Sequence, residues 1–402
     1  RSLLFSKSQV GVIYGSAGVG KSTLINHVSH FLNEEDKLFL TQTNPAKENL
    51  MRKIDAENTT FSTIERFKHQ GSPFTKYKLL VIDECSTVSN KDMVEVLQIA
   101  NFEMLLLVGD PYQIDAIQFG NWFSVLKSFL PACAVFELTH PHRTKDKRLL
   151  ELWDKVRNME DTAKEVIERE SYSLKVDETL LSPLEPGEAI LCLNYDGLYG
   201  INNINRFLQE INHNLAVQWD IQQYKNGDPI LFLDSDRFRP VIHNNMKGII
   251  QGVKIIDAGT TEERIQFDVE IPKLVFEHDI LDLELELLEN SEEEKKSLIR
   301  FYVHKLKSAD EDGEDSRTVV PFQVAYAVSI HKAQGLEYDS VKIVITDEVE
   351  ELVTHNIFYT AITRARKKLR IYWTPEVEEK VIKRIKPRDI SKDVEILKTY
   401  LI

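Results

Sequence analysis

The chain has 402 residues, of which 42% are hydrophobic and 28% are charged, as in ordinary globular proteins. Its length predicts two to four domains, and it contains no run of about 20 apolar residues of the kind that spans a bilayer. The net charge of −14 argues against nucleic-acid binding. However, fourteen acidic and five basic residues lie between Glu277 and Asp315, so that segment alone carries −9. Global charge therefore leaves room for a basic groove elsewhere.

The three cysteines, Cys85, Cys133 and Cys192, lie far apart and match no metal-ligand spacing. Their scarcity favours a reducing cytoplasm, and Cys192 is expected to be a core residue inside the apolar run AILCL. No secretory signal is visible. The chain begins at Arg1 rather than Met, so we expect a piece of a longer protein from which a targeting signal could be missing. These features predict a cytoplasmic protein without a membrane partner.

The first 140 residues predict alternating strands and helices. Helices are expected at STLINHVSHFL and KDMVEVLQIA. Strands are expected at QVGVIYG, KLFLTQT, YKLLVIDE and MLLLVGD. Because these strands are continuously apolar and end in glycine or acidic residues, they predict a parallel sheet covered on both faces. Ligands of such sheets bind at the carboxyl ends of the strands.

The rest of the chain predicts a second α/β domain with an interruption. Residues 145–175 have helical character, residues 182–187 form a loop, and a strand (EAILCLN) and a helix (GINNINRFLQEIN) follow. Short strands and turns from Tyr224 onward predict a small β-barrel insertion. The acidic segment then predicts a helix at SEEEKKSLIRFYVHKL and a flexible run at DEDGED. The α/β pattern resumes with PFQVAYAVSIHKAQG, the strand SVKIVIT and a helix around HNIFYTAITRARKK.

GSAGVGKS, at residues 15–22, matches the phosphate-binding pattern G-x-x-x-x-G-K-[ST] between a predicted strand and a predicted helix. In this pattern backbone N–H groups wrap the phosphates of ATP, a lysine reaches the β- and γ-phosphates, and a hydroxyl binds Mg²⁺. Lys21 and Ser22 are the expected lysine and hydroxyl. The expected nucleotide-binding residues are Gly15, Ser16, Ala17, Gly18, Val19, Gly20, Lys21, Ser22 and Thr23.

LLVIDE supplies two acids at the end of a predicted strand. Asp83 would hold Mg²⁺ through water, and Glu84 would polarise the water that attacks the γ-phosphate. Two adjacent acids could also be a solvated strand end. The neighbouring phosphate-binding loop favours the catalytic interpretation.

The motifs occur in a specific order: GSAGVGKS, TQTNPAKENL, STIERF, IDECS, LVGDPYQIDAI, the arginine of HPHR, SIHKAQGLEYD and YTAITRAR. This order resembles that of the superfamily 1 helicases, and the RecD-like and Dda-like group is the most similar. SIHKAQG and TAITRAR are highly specific, and the resemblance spans essentially the whole chain. It implies an α/β fold with two RecA-like P-loop NTPase domains, whose parallel sheets carry helices on both faces and bind ATP in the cleft between them.

The resemblance also implies a division of the chain. A small SH3-like β-barrel would be inserted in the second RecA-like domain. The implied ranges are 1–140 for the first RecA-like domain, 141–224 and 321–385 for the two parts of the second, 225–320 for the insertion with the acidic segment, and 386–402 for a C-terminal tail.

Carried over residue by residue, the resemblance assigns further roles at the ATP site. Gln113 would sense the γ-phosphate, Arg143 and Arg364 would stabilise charge on it, and Glu337 would contact the ribose. His142 stands where relatives often place an aromatic residue against adenine. By itself, the run RARKK would instead place Arg364 on a helix surface.

The resemblance further implies contacts to a DNA strand, for which short polar side chains and backbone N–H groups are suited. The candidate residues are Thr43, Asn44, Lys47, Thr63, Arg66, Asn194, Ser329, His331 and Lys332. Phe67 or Trp122 could stack on a base, although each is more often a core residue.

The sequence therefore predicts an ATP-dependent helicase that moves along single-stranded DNA, with the 5′→3′ polarity resting on the resemblance alone. An RNA helicase or RNA-stimulated ATPase stays open, as does a P-loop switch without a nucleic-acid track, although SIHKAQG and TAITRAR argue against the switch. The pathway and any missing N-terminal domain or nuclease or replication partner stay open too. Two departures matter: no upstream segment reads the adenine, and only residues 68–78 stand where relatives place a wedge-like hairpin.

Overall fold

The computed structural model describes residues 8–16, 18–71, 74–114, 122–139, 144–233, 236–305, 316–386 and 391–400. Internal contacts divide the chain into two compact units. Unit 1 comprises Arg1–Val176 and Ala333–Ile402, and unit 2 comprises Asp177–Lys332. Among the described residues, no helix is both long and apolar enough to cross a membrane. The five-part division implied by the resemblance stays a prediction.

Unit 1 contains a six-stranded sheet with the order β3-β2-β4-β5-β1-β6, in which every pairing is parallel. Its strands are β1 (Val10–Gly15), β2 (Lys37–Thr41), β3 (Thr59–Thr63), β4 (Lys76–Ile82), β5 (Asn101–Gly109) and β6 (Val135–Leu138). In β4, Leu80 and Ile82 pack in the core on one face, while Leu79 and Val81 pack in the core on the other. The predicted parallel sheet with two covered faces is therefore confirmed.

Seven described helices lie before residue 170, and they include those predicted at STLINHVSHFL, at KDMVEVLQIA and within residues 145–175. They are α1 (Lys21–Phe31), α2 (Asn44–Met51), α3 (Ile64–Gln70), α4 (Asn90–Ile99), α5 (Trp122–Val125), α6 (Lys147–Arg157) and α7 (Ala163–Arg169). Four of them begin with a side-chain cap that accepts a bond from a backbone N–H: Thr43, Thr63, Ser89 and Asp146. These caps stabilise the helix ends that follow the strands.

Unit 1 continues with a second set of parallel strands, in which β19 (Ala365–Tyr372) pairs with both β18 (Tyr338–Val344) and β7 (Ser173–Leu174). Its helices are α9 (His355–Ile362), α10 (Pro375–Arg384) and α11 (Ser391–Tyr400). The predicted helix around HNIFYTAITRARKK is thus wrong in its second half, because α9 ends at Ile362 and ARKK opens β19. Pairing of β19 with β18 overrides the weak helical preference of the basic run.

Unit 2 combines a parallel strand pair, β8 (Glu188–Cys192) and β17 (Ala327–Ser329), with helix α8 (Ile201–Ile211) and a hairpin formed by β9 (Ala216–Trp219) and β10 (Gln222–Lys225). It also contains a six-stranded antiparallel sheet with the order β14-β15-β13-β12-β11-β16. The strands of that sheet are β11 (Pro229–Phe232), β12 (Lys247–Ile256), β13 (Arg264–Ile271), β14 (Glu286–Ser291), β15 (Lys296–His304) and β16 (Phe322–Val324).

A second prediction, the helix at SEEEKKSLIRFYVHKL, is also wrong. Residues 291–305 of this run contain the end of β14, the turn and strand β15 of an antiparallel hairpin. In β15, Ser297, Ile299, Phe301 and Val303 are buried at every second position. Burial of every second residue is typical of a half-buried strand. The charged residues that precede β15 made this pattern hard to recognise in the sequence. The run DEDGED lies outside the described residues.

Short 3₁₀ helices complete the described structure. They lie at Cys85–Thr87, Leu126–Ser128, Ala132–Ala134, Glu178–Leu181, Asp236–Phe238, Glu277–Asp279, Ser316–Thr318 and Glu350–Leu352.

Candidate nucleotide site

The loop between β1 and α1 has the backbone that the phosphate-binding pattern requires. A Cβ on Gly15 would lie 2.6 Å from Cγ2 of Val19, so a side chain there would force Val19 to shift. Gly18 and Gly20 have φ values of 76° and 86°, in the left-handed region that favours glycine. The ammonium group of Lys21 donates to the carbonyl oxygens of Gly15 (2.7 Å) and Ser16 (2.9 Å), inside the curve of the loop.

A pocket of about 370 Å³ opens at this loop, entirely within unit 1. Its walls bring together side chains that follow β4 and β5 and side chains from residues 335–366. The predicted site residues that line it are Gly18, Gly20, Lys21, Ser22, Thr23, Asp83, Glu84, Gln113, Glu337 and Arg364. Gly15 and Val19 lie in the loop itself, and Ser16 lines a neighbouring cavity of about 420 Å³.

The two acids after β4 have different environments. Burial raises the pKa of the Asp83 carboxyl, while the positive charges of Lys21 and Lys53 lower it. The backbone of Glu84 is left-handed, with φ 55° and ψ 40°. This conformation is uncommon for a residue with a side chain, and strained backbone of this kind often occurs at functional sites. A Cβ built on Gly335 would lie 3.6 Å from Oε1 of Glu84, so the carboxylate lies beside the loop that carries Glu337.

Gln113 lies in the turn that follows β5. Its side-chain amide nitrogen lies 3.4 Å from Oδ2 of Asp110, which is only 3% exposed. The other carboxylate oxygen of Asp110 accepts from the N–H of Tyr112 at 3.1 Å. The buried aspartate therefore fixes the turn that presents Gln113 to the pocket.

Arg364 is 2% exposed and lies just after the end of α9. Its guanidinium donates to the carbonyl oxygens of Thr360 (3.0 Å) and Leu336 (3.2 Å) and to the Thr363 hydroxyl (3.3 Å). The alternative of an exposed helix-surface arginine is therefore wrong. These bonds hold the guanidinium in the wall of the pocket.

Three predicted site residues, Ala17, His142 and Arg143, lie outside the described residues, so their roles stay predictions. Conversely, sequence reasoning missed pocket residues. These are Ala46, Asn49, Leu50, Lys53, Gly109, Asp110, Gly335 and Arg366.

Among the missed residues, Asn49 donates from its amide to the Gly335 carbonyl oxygen at 3.3 Å, which connects α2 to the loop before β18. Asp110 stands in LVGDPYQ directly after an apolar strand, and that position is the sequence signal for a ligand-binding residue. Asn49 and Lys53 follow TQTNP at spacings that carry no recognisable pattern.

The proposed DNA-facing residues of unit 1 stand at helix starts. The hydroxyls of Thr43 and Thr63 accept from the N–H groups of Ala46 and Arg66, both at 3.3 Å, and Asn44 is the first residue of α2. Lys47 is half-buried and Arg66 is exposed.

The candidate DNA-facing residues of unit 2 lie at the carboxyl ends of β8 and β17 or just after them. Ser329 is 6% exposed, and its hydroxyl accepts from the N–H of Lys332 at 3.1 Å. The ammonium of Lys332 lies 5.6 Å from the centre of the Tyr195 ring, while Asn194 is half-buried and His331 is exposed. Ser329 thus supports the turn locally.

Phe67 and Trp122 belong to the protein interior. Phe67 is 5% exposed in the core of the parallel sheet, and Trp122 packs against the same cluster. The indole N–H of Trp122 donates to the Val88 carbonyl oxygen at 2.8 Å. The core interpretation of both aromatic residues is confirmed.

Two protein-family models match separate parts of the chain. Residues 1–173 match the family model of an AAA domain, and residues 324–372 match that of the UvrD-like helicase C-terminal domain. The ATP-dependent DNA helicase Pif1 of Campylobacter jejuni is 24% identical over 90% of this chain and 88% of its own length. The RecD subunit of the RecBCD enzyme of Mycolicibacterium smegmatis is 23% identical over 77% of this chain and 52% of its own length.

Solved structures of Pif1 helicases have a similar fold. Bacteroides Pif1 bound to single-stranded DNA has a TM-score of 0.56 at 15% identity, covering 98% of this chain and 95% of its own. Pif1 of Candida albicans has a TM-score of 0.54 at 17% identity, covering 98% of this chain and 96% of its own. In sequence, the chain is similar to RecD and Pif1 helicases. Its α/β fold with parallel sheets is the Pif1-like fold.

The chain spans only part of the length of several relatives that it matches. It spans 37% of an uncharacterised protein of Methanocaldococcus jannaschii, to which it is 23% identical over 92% of its own length. It spans 26% of the RecD subunit of Buchnera aphidicola from Schizaphis graminum.

Proposed function

We propose that this chain is an ATP-dependent DNA helicase that moves along single-stranded DNA in the 5′→3′ direction. The observation that supports this function best is the composition of the 370 Å³ pocket. In it, Lys21 and Glu84 of the P-loop domain meet Arg364 from the UvrD-like C-terminal region. A pocket built from both parts allows the state of the nucleotide to change how the two parts pack.

The donor set of the pocket fits ATP with Mg²⁺. The Ser22 hydroxyl and the Asp83 carboxylate are hard oxygen ligands of the kind that Mg²⁺ prefers, and Mg²⁺ usually keeps several waters and phosphate oxygens as further ligands. When bound, the metal neutralises charge on the β- and γ-phosphates. A structure of Bacteroides Pif1 contains ADP-AlF3 and single-stranded DNA, which supports a nucleotide in the corresponding pocket here.

The side chains of the pocket divide the chemistry among them. Lys21 binds the β- and γ-phosphates, and Glu84 accepts the proton of the attacking water. Gln113 senses the γ-phosphate, and Arg364 stabilises the charge that develops on it. Glu337 contacts the ribose. His142 and Arg143 would add an adenine contact and a second arginine.

The DNA strand would contact the starts of helices and the ends of β-strands. We assign the candidate residues at the starts of α2 and α3 to one set of DNA contacts, or grip. These residues are Thr43, Asn44, Lys47, Thr63 and Arg66. The second grip consists of Asn194, Ser329, His331 and Lys332. Alternate tightening of two grips moves a motor along one strand. The antiparallel sheet of unit 2 is our candidate for the SH3-like insertion.

The function is tested by ATP turnover with and without single-stranded DNA, followed by unwinding of 5′-tailed and 3′-tailed duplexes. We expect strong stimulation by DNA and unwinding of the 5′-tailed substrate only. Stimulation by single-stranded RNA and not by DNA would point to an RNA motor. Turnover that ignores both strands would contradict the proposal and favour a P-loop switch.

A further inference from the structure

The turn that carries Gln113 is bonded directly to helix α9. The N–H of Ile114 donates to the hydroxyl oxygen of Thr360 at 3.1 Å, across 246 positions of sequence. Both residues are buried, with Ile114 at 6% and Thr360 at 0% exposure. A buried hydrogen bond of this kind is directional and cannot be replaced by water, so it fixes the turn against the helix.

Thr360 also holds the arginine of the pocket. Its carbonyl oxygen accepts from Nε of Arg364 at 3.0 Å and from the Thr363 hydroxyl at 3.0 Å. One residue therefore bonds the turn of Gln113 through its side chain and Arg364 through its backbone. A shift of the turn relative to α9 must break the first bond or displace the helix that positions Arg364.

A second contact stands on the other side of Gln113. The Tyr112 ring meets the edge of the His355 ring at 6.0 Å and 86°, at the first turn of α9. The guanidinium of Arg157 lies 4.9 Å from the centre of the Tyr112 ring, and Nε2 of His355 lies 2.8 Å from the Val156 carbonyl oxygen. Tyr112 and Ile114, the two neighbours of Gln113, thus both contact α9, so the turn and the helix pack together as one element.

We propose that Thr360 is a positioning residue that links the γ-phosphate-sensing turn to Arg364. The proposal rests on the proposed function, and it adds a residue whose hydroxyl transmits the position of Gln113. When the turn moves on a change at the γ-phosphate, the Ile114–Thr360 bond carries that movement into the end of α9. Arg364 then advances or withdraws together with Gln113 rather than independently.

The test uses the full chain, four single variants and one double variant. Thr360→Val keeps the side-chain shape but removes the acceptor of the Ile114 N–H, while Thr360→Ser keeps the acceptor. Thr354→Ala is the matched control, because Thr354 caps the start of the same helix and is exposed, so its loss weakens α9 without touching Ile114. Arg364→Ala gives the background for a double-variant cycle.

We expect Thr360→Val to lower kcat by about ten-fold while the KM for ATP and the affinity for a fluorescent ADP analogue change by less than about two-fold. Thr360→Ser should restore kcat, and Thr354→Ala should lower the Tm with little change in kcat. Adding Thr360→Val to Arg364→Ala, measured by release of radiolabelled phosphate, should slow turnover no further.

Three results would overturn the coupling role. These are an unchanged kcat in Thr360→Val, equal losses in Thr360→Val and Thr354→Ala at equal Tm, or multiplying losses in the double variant. Failure of the proposed function is seen separately, because a wild-type chain that hydrolyses ATP without DNA stimulation contradicts that function. Its basal kcat still tests Thr360 by the same comparison.

Discussion

At the scale of single residues, the site depends on how each charged group is held. Lys21 is bound by two carbonyl oxygens of its own loop, and Arg364 is held by two carbonyl oxygens and a hydroxyl. These bonds fix the position of each positive charge in the wall of the pocket. Charged donors that are held by the protein stabilise charge that develops in a reaction, which is a large part of electrostatic catalysis.

Glu84→Gln tests the general base. Glutamine keeps the size of the side chain but cannot accept a proton, so we expect binding of ATP to persist and turnover to fall by about 10²–10⁴-fold. Binding of a fluorescent ATP analogue and release of phosphate measure the two effects. Turnover within a few-fold of the parent chain would exclude Glu84 as the base.

Arg364→Ala tests the arginine of the pocket wall. We expect turnover to fall by about 10³-fold or more with little change in ATP affinity, because an arginine of this kind acts mainly on the transition state. Lys367→Ala is the control, since Lys367 is an exposed member of the same basic run and pairs with Asp339 at the surface. A loss of nucleotide affinity alone in Arg364→Ala would assign it to ground-state binding.

At the scale of elements, prediction succeeded where local pattern and tertiary contact agree. The apolar strands of unit 1 and the glycine turn before Lys21 are predicted by patterns in consecutive residues, and the structure contains both. Arg364 was placed in the site by its motif, while its helical context was wrong because β19 forms only by pairing with β18. Asn49 reaches the pocket through a bond to Gly335, 286 positions away, which no local pattern can show.

The acidic segment, residues 277–315, includes the β14–β15 hairpin, part of which lies in the protein core. Because Ile299, Phe301 and Val303 are fully buried, replacing the whole segment would remove a core strand. The acids Glu289, Glu292 and Glu293 are instead exposed on the hairpin. Our prediction is that the acidic segment lies outside the DNA path, since its charge would repel phosphates.

Neutralising these three acids to glutamine should therefore leave the affinity for single-stranded DNA and its salt dependence nearly unchanged. Exposed substitutions of this kind rarely shift stability by more than about 0.5 kcal/mol, so the fold should persist. Fluorescence anisotropy at several salt concentrations measures both quantities. A clear rise in DNA affinity with a changed salt slope would place the hairpin beside the strand.

At the scale of the whole molecule, translocation and strand separation are distinct demands. The resemblance to superfamily 1 helicases implies a wedge-like hairpin where this chain has residues 68–78. Of these, Lys68–Gln70 end helix α3 and Lys76–Lys78 begin strand β4, and the described residues between them form no strand pair. The described part of this region thus offers no rigid ribbon to split a duplex.

We therefore predict robust movement on single strands with weak unwinding that depends strongly on duplex stability. Opening one base-pair step costs about 1–2 kcal/mol, so a motor without a wedge advances mainly when the fork frays. Displacement of streptavidin from biotinylated strands measures translocation, and AT-rich and GC-rich forks measure unwinding. Equal and fast unwinding of both forks by this chain alone would refute the prediction.

We propose that ATP hydrolysis in the 370 Å³ pocket is coupled to a single strand of DNA. Its most direct test is steady-state phosphate release by the parent chain and by Lys21→Ala, each with and without single-stranded DNA. We predict turnover that rises strongly with DNA in the parent chain and is abolished in Lys21→Ala under both conditions, since Lys21 faces the β- and γ-phosphates. Turnover that ignores DNA, or that survives in Lys21→Ala, would contradict the account.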